Sequence, residues 1–204
     1  MSAATIEPAE LLAAIAGGDQ RALDILYRAW SGRVKVFVRA QLHGSGLDAV
    51  AVADEVTVDV FHDVWRAPQR YDGRVGFSTW LLTIARNKAV DQLRRHGRRA
   101  AREDSIDGDG FDHAALELGG HAPGPQAGHE AAQRQRAVLK CLQRLRNPLQ
   151  RESLTLWALD DMSIGDIARI QSAPEGTVKT RLFHGRSNLR QCIERWFVQE
   201  GGRE

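Results

Sequence analysis

An all-α protein is the fold class this sequence predicts: two helical domains joined by a flexible acidic linker, the C-terminal one a helix-turn-helix domain. Three observations predict it. Apolar residues recur at three- and four-residue spacing through several long segments without internal Pro. Residues 97–129 break that pattern with Gly, Asp, His and Pro and few groups able to pack a core. Near the C-terminus a short helical segment, a tight turn containing Pro174 and a longer basic helix follow one another.

The chain has 204 residues, 43% hydrophobic and 26% charged, enough for one large or two small cores. The formal net charge is only +2, but its distribution is uneven. Between Arg86 and Arg102 there are seven basic residues and one acid; from Glu103 to Glu130 there are seven acids and no Lys or Arg. A basic block followed at once by an acidic one signals a charged partner that the total conceals. Cys141 and Cys192 form no CxxC and no disulfide framework, so a reducing, cytoplasmic location is expected. No apolar run is long enough to span a membrane and no signal pattern opens the chain, so no membrane insertion is expected. No cofactor is implied.

Taken in order, Pro8 to Ala16 predicts a short helix, with Pro8 in its first turn and Gly17-Gly18 ending it. Asp19 can cap the next helix, which carries Leu23, Leu26, Tyr27, Trp30, Val34, Phe37 and Val38. Gly44-Ser45-Gly46 is a loop. Leu47 to Trp65 predicts a second long helix: its β-branched content allows a strand locally, but Val56, Val60 and Val64 step by four. Pro68 and Asp72-Gly73 interrupt the chain. Phe77 to Arg95 has no internal Gly or Pro and predicts the next helix. After the linker, Val138, Leu142 and Leu145 mark a helix ended by Asn147-Pro148, and Leu149 to Leu159 forms another. Ser163, with Asp166 three residues on, resembles a capping box opening a short helix to Ile170. Gln171 to Gly176 is the turn, and Thr177 to Trp196 the longer helix, apolar at Val178, Leu182, Leu189 and Ile193.

The Phe77 to Arg95 helix divides into two faces. Leu82, Ala85, Ala89, Val90 and Leu93 gather on one as a core stripe; Trp80, Ile84, Asn87, Asp91, Arg94 and Arg98 gather on the other. Ring, amide and guanidinium are the groups that stack on bases, read base edges and hold phosphates. Trp80 is either such a stacking ring or a core residue. On the preceding helix, Glu55 and Asp59 lie one turn apart on an acidic side with Asp63. The C-terminal helix presents Lys179, Arg181, Arg186 and Arg190 in the manner of a DNA-recognition helix.

These residues carry a family resemblance. Phe77-Ser78-Thr79-Trp80-Leu81, Ile84-Ala85-Arg86-Asn87 and Asp91-Gln92-Leu93-Arg94-Arg95 resemble a signature of bacterial sigma factors of the extracytoplasmic-function group in the sigma-70 family. Gly176 to Leu182 resembles the GTVKSRL of their C-terminal helix-turn-helix, and Ala53 to Phe61 resembles a third segment. The resemblance implies a non-enzymatic factor that binds core RNA polymerase and directs it to promoter DNA. It places sigma region 2 at 1–99, a linker at 100–130 and region 4 at 131–204. It implies −10 element contacts from Trp80, Asn87, Lys88, Asp91, Arg94, Arg95 and Arg98. The −35 contacts fall to Thr177, Lys179, Thr180, Arg181, His184 and Arg186, and polymerase contacts to Asp54, Glu55, Asp59 and Asp63. An anti-sigma factor is a further implied partner.

The chain departs from the family pattern in places. Thr83 and Ile84 stand where housekeeping members have two tryptophans, Val58 where Gln is frequent, Gln171-Ser172 where the turn has Leu-Gly, and His184 where Arg is frequent. Two rival readings remain. A stand-alone helix-turn-helix regulator leaves the Phe77 to Arg95 segment unexplained. A metal-dependent nucleic-acid enzyme lacks a suitable acid cluster, and its seven His and two Cys show no metal-ligand spacing.

Overall fold

The structure is a computed structural model that describes residues 7–103, 133–134, 137–159 and 161–200. It divides into an N-terminal and a C-terminal helical unit.

The N-terminal unit begins with α1 (Pro8–Ala16), which buries Leu11, Leu12 and Ile15 and has Pro8 at its first turn. Gly17-Gly18 ends it as predicted, Gly18 with φ of 87°, a backbone that Gly adopts at little cost. The Asp19 carboxylate then accepts from the N–H groups of Arg21 and Ala22 at 2.8 and 3.3 Å, starting α2 (Gln20–Leu42). Ser31-Gly32 does not interrupt this helix. Asp48 caps α3 (Ala49–Arg66) in the same way, accepting from Val50 and Ala51 at 3.0 Å. The predicted start at Leu47 is thus two residues early, because Asp48 spends its extended backbone on the cap. A 3₁₀ turn at Pro68–Arg70 follows, then α4 (Phe77–Glu103).

The core lies where α2 crosses α3 and α4, with α1 packed against α2 and the 3₁₀ turn. Leu26, Val34, Phe37, Val38 and Leu42 meet Val56, Val60, Val64, Leu81, Leu82, Ala85 and Ala89, all of them buried. Burying each of the larger side chains contributes about 1.5–3 kcal/mol. On α4 the buried stripe includes Phe77 and Leu81, while Val90 and Leu93 are only half-buried, so it is rotated toward the helix start relative to expectation. The helix also outruns the predicted boundary by passing through Gly97 to Glu103. A single interior Gly costs only about 1 kcal/mol. From residue 104 onward the predicted linker lies outside the described residues.

In the C-terminal unit, α5 covers residues 137–143. It buries Ala137, Cys141 and Leu142, whereas Val138, expected on its core side, is exposed. Asn147 starts the next helix rather than ending the last: its side-chain oxygen accepts from Leu149 and Gln150 at 3.0 and 3.3 Å, and Pro148 opens α6 (Pro148–Leu159). Ser163 Oγ accepts from the Asp166 N–H at 3.1 Å and donates to the Asp166 carboxylate at 2.6 Å, the reciprocal cap expected for α7 (Ile164–Gln171). After the turn, α8 (Glu175–Glu200) runs 26 residues, about 39 Å. Gly185 lets α8 approach α6 closely: a Cβ there would stand 3.0 Å from Leu154 Cδ1.

The expectation of unpaired cysteines is overturned. Cys141 and Cys192 form a disulfide that ties α5 to α8, with Cα atoms 5.6 Å apart. They lie 51 residues apart in the chain, so no local spacing announces the pair.

Candidate nucleic-acid and polymerase interfaces

The polar face of α4 is built on the buried Phe77, Leu81, Leu82, Ala85 and Ala89 stripe. Asn87, Asp91, Arg94, Arg95 and Arg98 are all exposed. Asp91 pairs loosely with Arg94 at 3.6 Å, both side chains open to water. Lys88 differs from this set: it is half-buried and its ammonium lies 2.8 Å from Asp63 of α3. One residue expected to touch DNA and one expected to touch polymerase are therefore partners of each other.

Trp80 is half-buried at the end of an aromatic cluster. Its ring lies 5.3 Å from that of Tyr71 and 5.7 Å from that of Phe77, and Phe77 meets Trp30 edge-on at 5.0 Å. The Tyr71 hydroxyl donates to the Val75 carbonyl at 3.0 Å, fixing the ring beside Trp80. Trp80 is thus held in place by neighbouring rings without being sealed in the core. Ile84, on the same side, is half-buried.

On α3, Glu55 and Asp59 are exposed as the spacing implied, and Glu55 also makes a long contact, 3.5 Å, with Gln92 of α4. Asp54 is paired with Lys35 at 2.9 Å. Val58, 59% exposed, flanks the two exposed acids, so the acidic face has an apolar residue at its edge.

In the C-terminal unit, Val178 and Leu182 hold α8 to the core, leaving Thr177, Lys179, Thr180, His184 and Arg186 exposed and Arg181 half-buried. The Thr180 hydroxyl donates to the Gly176 carbonyl at 3.0 Å. The Arg186 guanidinium stacks 3.8 Å from the Trp157 ring of α6, a cation–π contact that orients it. Sequence reasoning missed two residues here. Phe183 is 71% exposed with its ring edge-on to His184, and Trp157 is also exposed. The signal was present for Phe183, an apolar residue one position off the Val178/Leu182 stripe. In the turn, Ser172 has φ of 49°, which accounts for the glycine usual at that place, and Gln171 is buried. No group of three or more His, Cys, Asp or Glu among the described residues could hold a metal ion. No described helix is long and apolar enough to cross a membrane.

A helical unit with an aromatic-to-arginine face, followed in one chain by a helix-turn-helix unit with a cation-bearing second helix, defines a two-domain DNA-reading protein. Residues 26–99 match the family model for sigma-70 region 2, and residues 135–189 match that for sigma-70 region 4. Among curated relatives, the RNA polymerase sigma-H factor of Pseudomonas aeruginosa is 28% identical over 189 residues, covering 91% of this chain and 93% of the relative. The extracytoplasmic-function sigma factor SigK of Mycolicibacterium vanbaalenii is 29% identical over 195 residues, covering 93% and 90%. Among solved structures, the sigma factor RpoE of Bartonella quintana, in complex with the anti-sigma factor NepR, has a TM-score of 0.64 at 19% identity over 84% of this chain and 96% of that one. CnrH, in complex with the cytosolic domain of CnrY, has a TM-score of 0.59 at 24% identity, covering 92% and 97%. These two likenesses establish the fold. The chain belongs to the sigma-70 family of bacterial RNA polymerase sigma factors, in the extracytoplasmic-function group, and its function is to direct the polymerase to promoters.

Proposed function

We propose a division of labour in which Asn87 reads a base of the −10 element while Arg94, Arg95 and Arg98 hold phosphates, Trp80 bears on an unpaired base, and α8 enters the major groove at the −35 element. The observation that carries this reading is the α4 face, where an exposed amide and exposed guanidinium groups stand opposite a fully buried stripe. An amide can bridge the donor and acceptor of one base edge, whereas guanidinium groups spaced along a helix suit the backbone. Asp91 tempers the positive face beside Arg94. Lys88 acts by fixing α4 to α3 through Asp63 rather than by touching DNA. On α8, Lys179, Thr180 and His184 face the bases, with Thr177 and Arg181 at the near edge, and Arg186 is oriented by Trp157.

The polymerase contact falls to Glu55, Asp59 and Val58, an acidic surface with an apolar edge suited to a basic partner. Asp54 and Asp63 support it through their pairs with Lys35 and Lys88. The protein works by binding and not by catalysis, in the cytoplasm, with the domain limits 1–99, 100–130 and 131–204, and an anti-sigma factor is a partner. The test is holoenzyme assembly with Glu55→Arg/Asp59→Arg. Reversing two exposed charges leaves the helical fold intact and weakens core binding at least ten-fold, with the loss shrinking in high salt. Unchanged core affinity overturns the assignment of this face.

A further inference from the structure

The Cys141–Cys192 bridge joins α5 to the second half of α8, and nothing in promoter recognition uses it. It lies about 20 Å along α8 from Lys179, at 1.5 Å per residue. A cleft of about 610 Å³ opens beside the bridge, lined by both cysteines and by Arg144, Arg146, Arg195 and Trp196. Cys141 is fully buried, whereas Cys192 is partly exposed, so the two sulfurs differ in access.

The cleft is cationic. Among the described residues that line it are three guanidinium groups and no carboxylate. Lys140 adds a fourth positive charge next to it, its ammonium 4.8 Å from the centre of the Trp196 ring, with Arg144 5.7 Å from the same ring. Among the described side chains of this part of α8 the acid is Glu194, which is held by Arg190 at 2.8 Å. The Trp196 indole N–H is buried with no hydrogen-bond partner among the described residues. A concave surface with one sign of charge concentrates ligands of the other sign.

We propose that this cleft binds a low-molecular-weight thiol that carries a carboxylate, and delivers it to the bridge through Cys192. Both the carboxylate and the reacting thiolate are anionic, so the four cations favour the form that reacts. The thiolate attacks Cys192 Sγ, the S–S bond breaks, and Cys141 leaves as a thiolate that takes a proton from water. A second thiolate attacks the small-molecule sulfur of the mixed disulfide, releasing Cys192 as thiol and the small molecule as its own disulfide. Two thiols are oxidised while the protein bridge gains two electrons. The reverse exchange, from the small-molecule disulfide, closes the bridge again. In a reducing compartment a protein disulfide is characteristically transient and redox-sensing. The tether between α5 and α8 thus follows the thiol-to-disulfide ratio around the protein.

The test uses oxidised full-length protein and three probe thiols: 3-mercaptopropionate, 2-mercaptoethanol and cysteamine. Each reduction rate is followed by alkylation and intact mass, then divided by the rate of the same thiol on a small neutral disulfide, which removes differences in thiolate fraction and nucleophilicity. The normalised rate is about ten-fold higher for the anionic thiol than for the cationic one, and the ratio falls toward one at high salt. Peptide mapping of quenched intermediates places the mixed disulfide on Cys192. Arg144→Gln/Arg195→Gln abolishes the preference and Arg144→Lys/Arg195→Lys retains it. The salt dependence of the unaltered protein gives the answer without any variant. Equal normalised rates, an adduct on Cys141, or no reduction by any of the thiols overturns the proposal.

Discussion

Lys88 is the residue at which a structural role and a DNA-binding role give opposite results. Its ammonium lies 2.8 Å from the Asp63 carboxylate, joining α4 to α3, and its side chain is 25% exposed against 39% for Asp63. At an effective dielectric of about 20 the gross attraction at that distance is about 6 kcal/mol. Solvent screening and the ordering of two side chains bring net values for exposed pairs down to roughly 0.2–1 kcal/mol. This pair is more sheltered than most, so a coupling of about 1 kcal/mol is expected, or about 4–8 °C in the melting temperature of a unit this size. The assay is a double-mutant cycle of Lys88→Ala, Asp63→Ala and both together, read by urea unfolding. Each single variant destabilises, the double variant costs less than the two losses added, and the slope of promoter affinity against salt does not change. A coupling below about 0.3 kcal/mol, with Lys88→Ala reducing that salt slope by about one phosphate contact, returns Lys88 to the DNA interface and refutes the reasoning.

The other expectations concern the α4 face and the α6–α8 crossing. Asn87→Ala leaves unfolding free energy within about 0.5 kcal/mol and changes tolerance at one −10 position, measured by transcription from promoter variants; an equal loss on every variant removes Asn87 from base reading. Arg94→Ala/Arg98→Ala weakens binding whatever the −10 sequence and flattens the salt slope, whereas a loss confined to one −10 sequence makes one of them a base reader. Gly185→Ala places a methyl 3.0 Å from the buried Leu154, so overpacking of about 1–3 kcal/mol outweighs a helix-propensity gain of about 1 kcal/mol. Net stability in denaturant falls by about 1 kcal/mol, and a more stable variant shows that α6 and α8 do not meet there.

The helices were legible because their signals are local. Asp19 and Ser163 cap as spacing predicted, and the four-residue steps of Val56, Val60 and Val64 correctly favoured a helix over a strand. Local signals misled where two readings share a residue type. Asn147-Pro148 predicts a helix stop, yet the Asn147 side chain starts α6; Gly97 predicts a break, yet α4 continues through it. The site was legible as faces but not as partners. Exposure of Asn87, Arg94, Glu55 and Asp59 follows from helical phase alone. The Lys88–Asp63 and Lys35–Asp54 pairs depend on the register between two helices, and the cysteine bridge on bringing together residues 51 apart. Trp80 is the intermediate case. Phase put it opposite the stripe, while the Tyr71 and Phe77 rings that hold it come from the chain's path before α4 and from the first turn of the helix itself.

Transcription in vitro by core RNA polymerase on a library of genomic fragments tests promoter direction most directly. A sigma factor gives transcripts from discrete start sites, each preceded by the same two sequence elements at fixed spacing, and core polymerase alone gives none of them. Glu55→Arg/Asp59→Arg loses those transcripts while keeping its helical content. The contradicting result is a protein that binds the same fragments tightly by itself and neither joins core polymerase nor starts transcription from them.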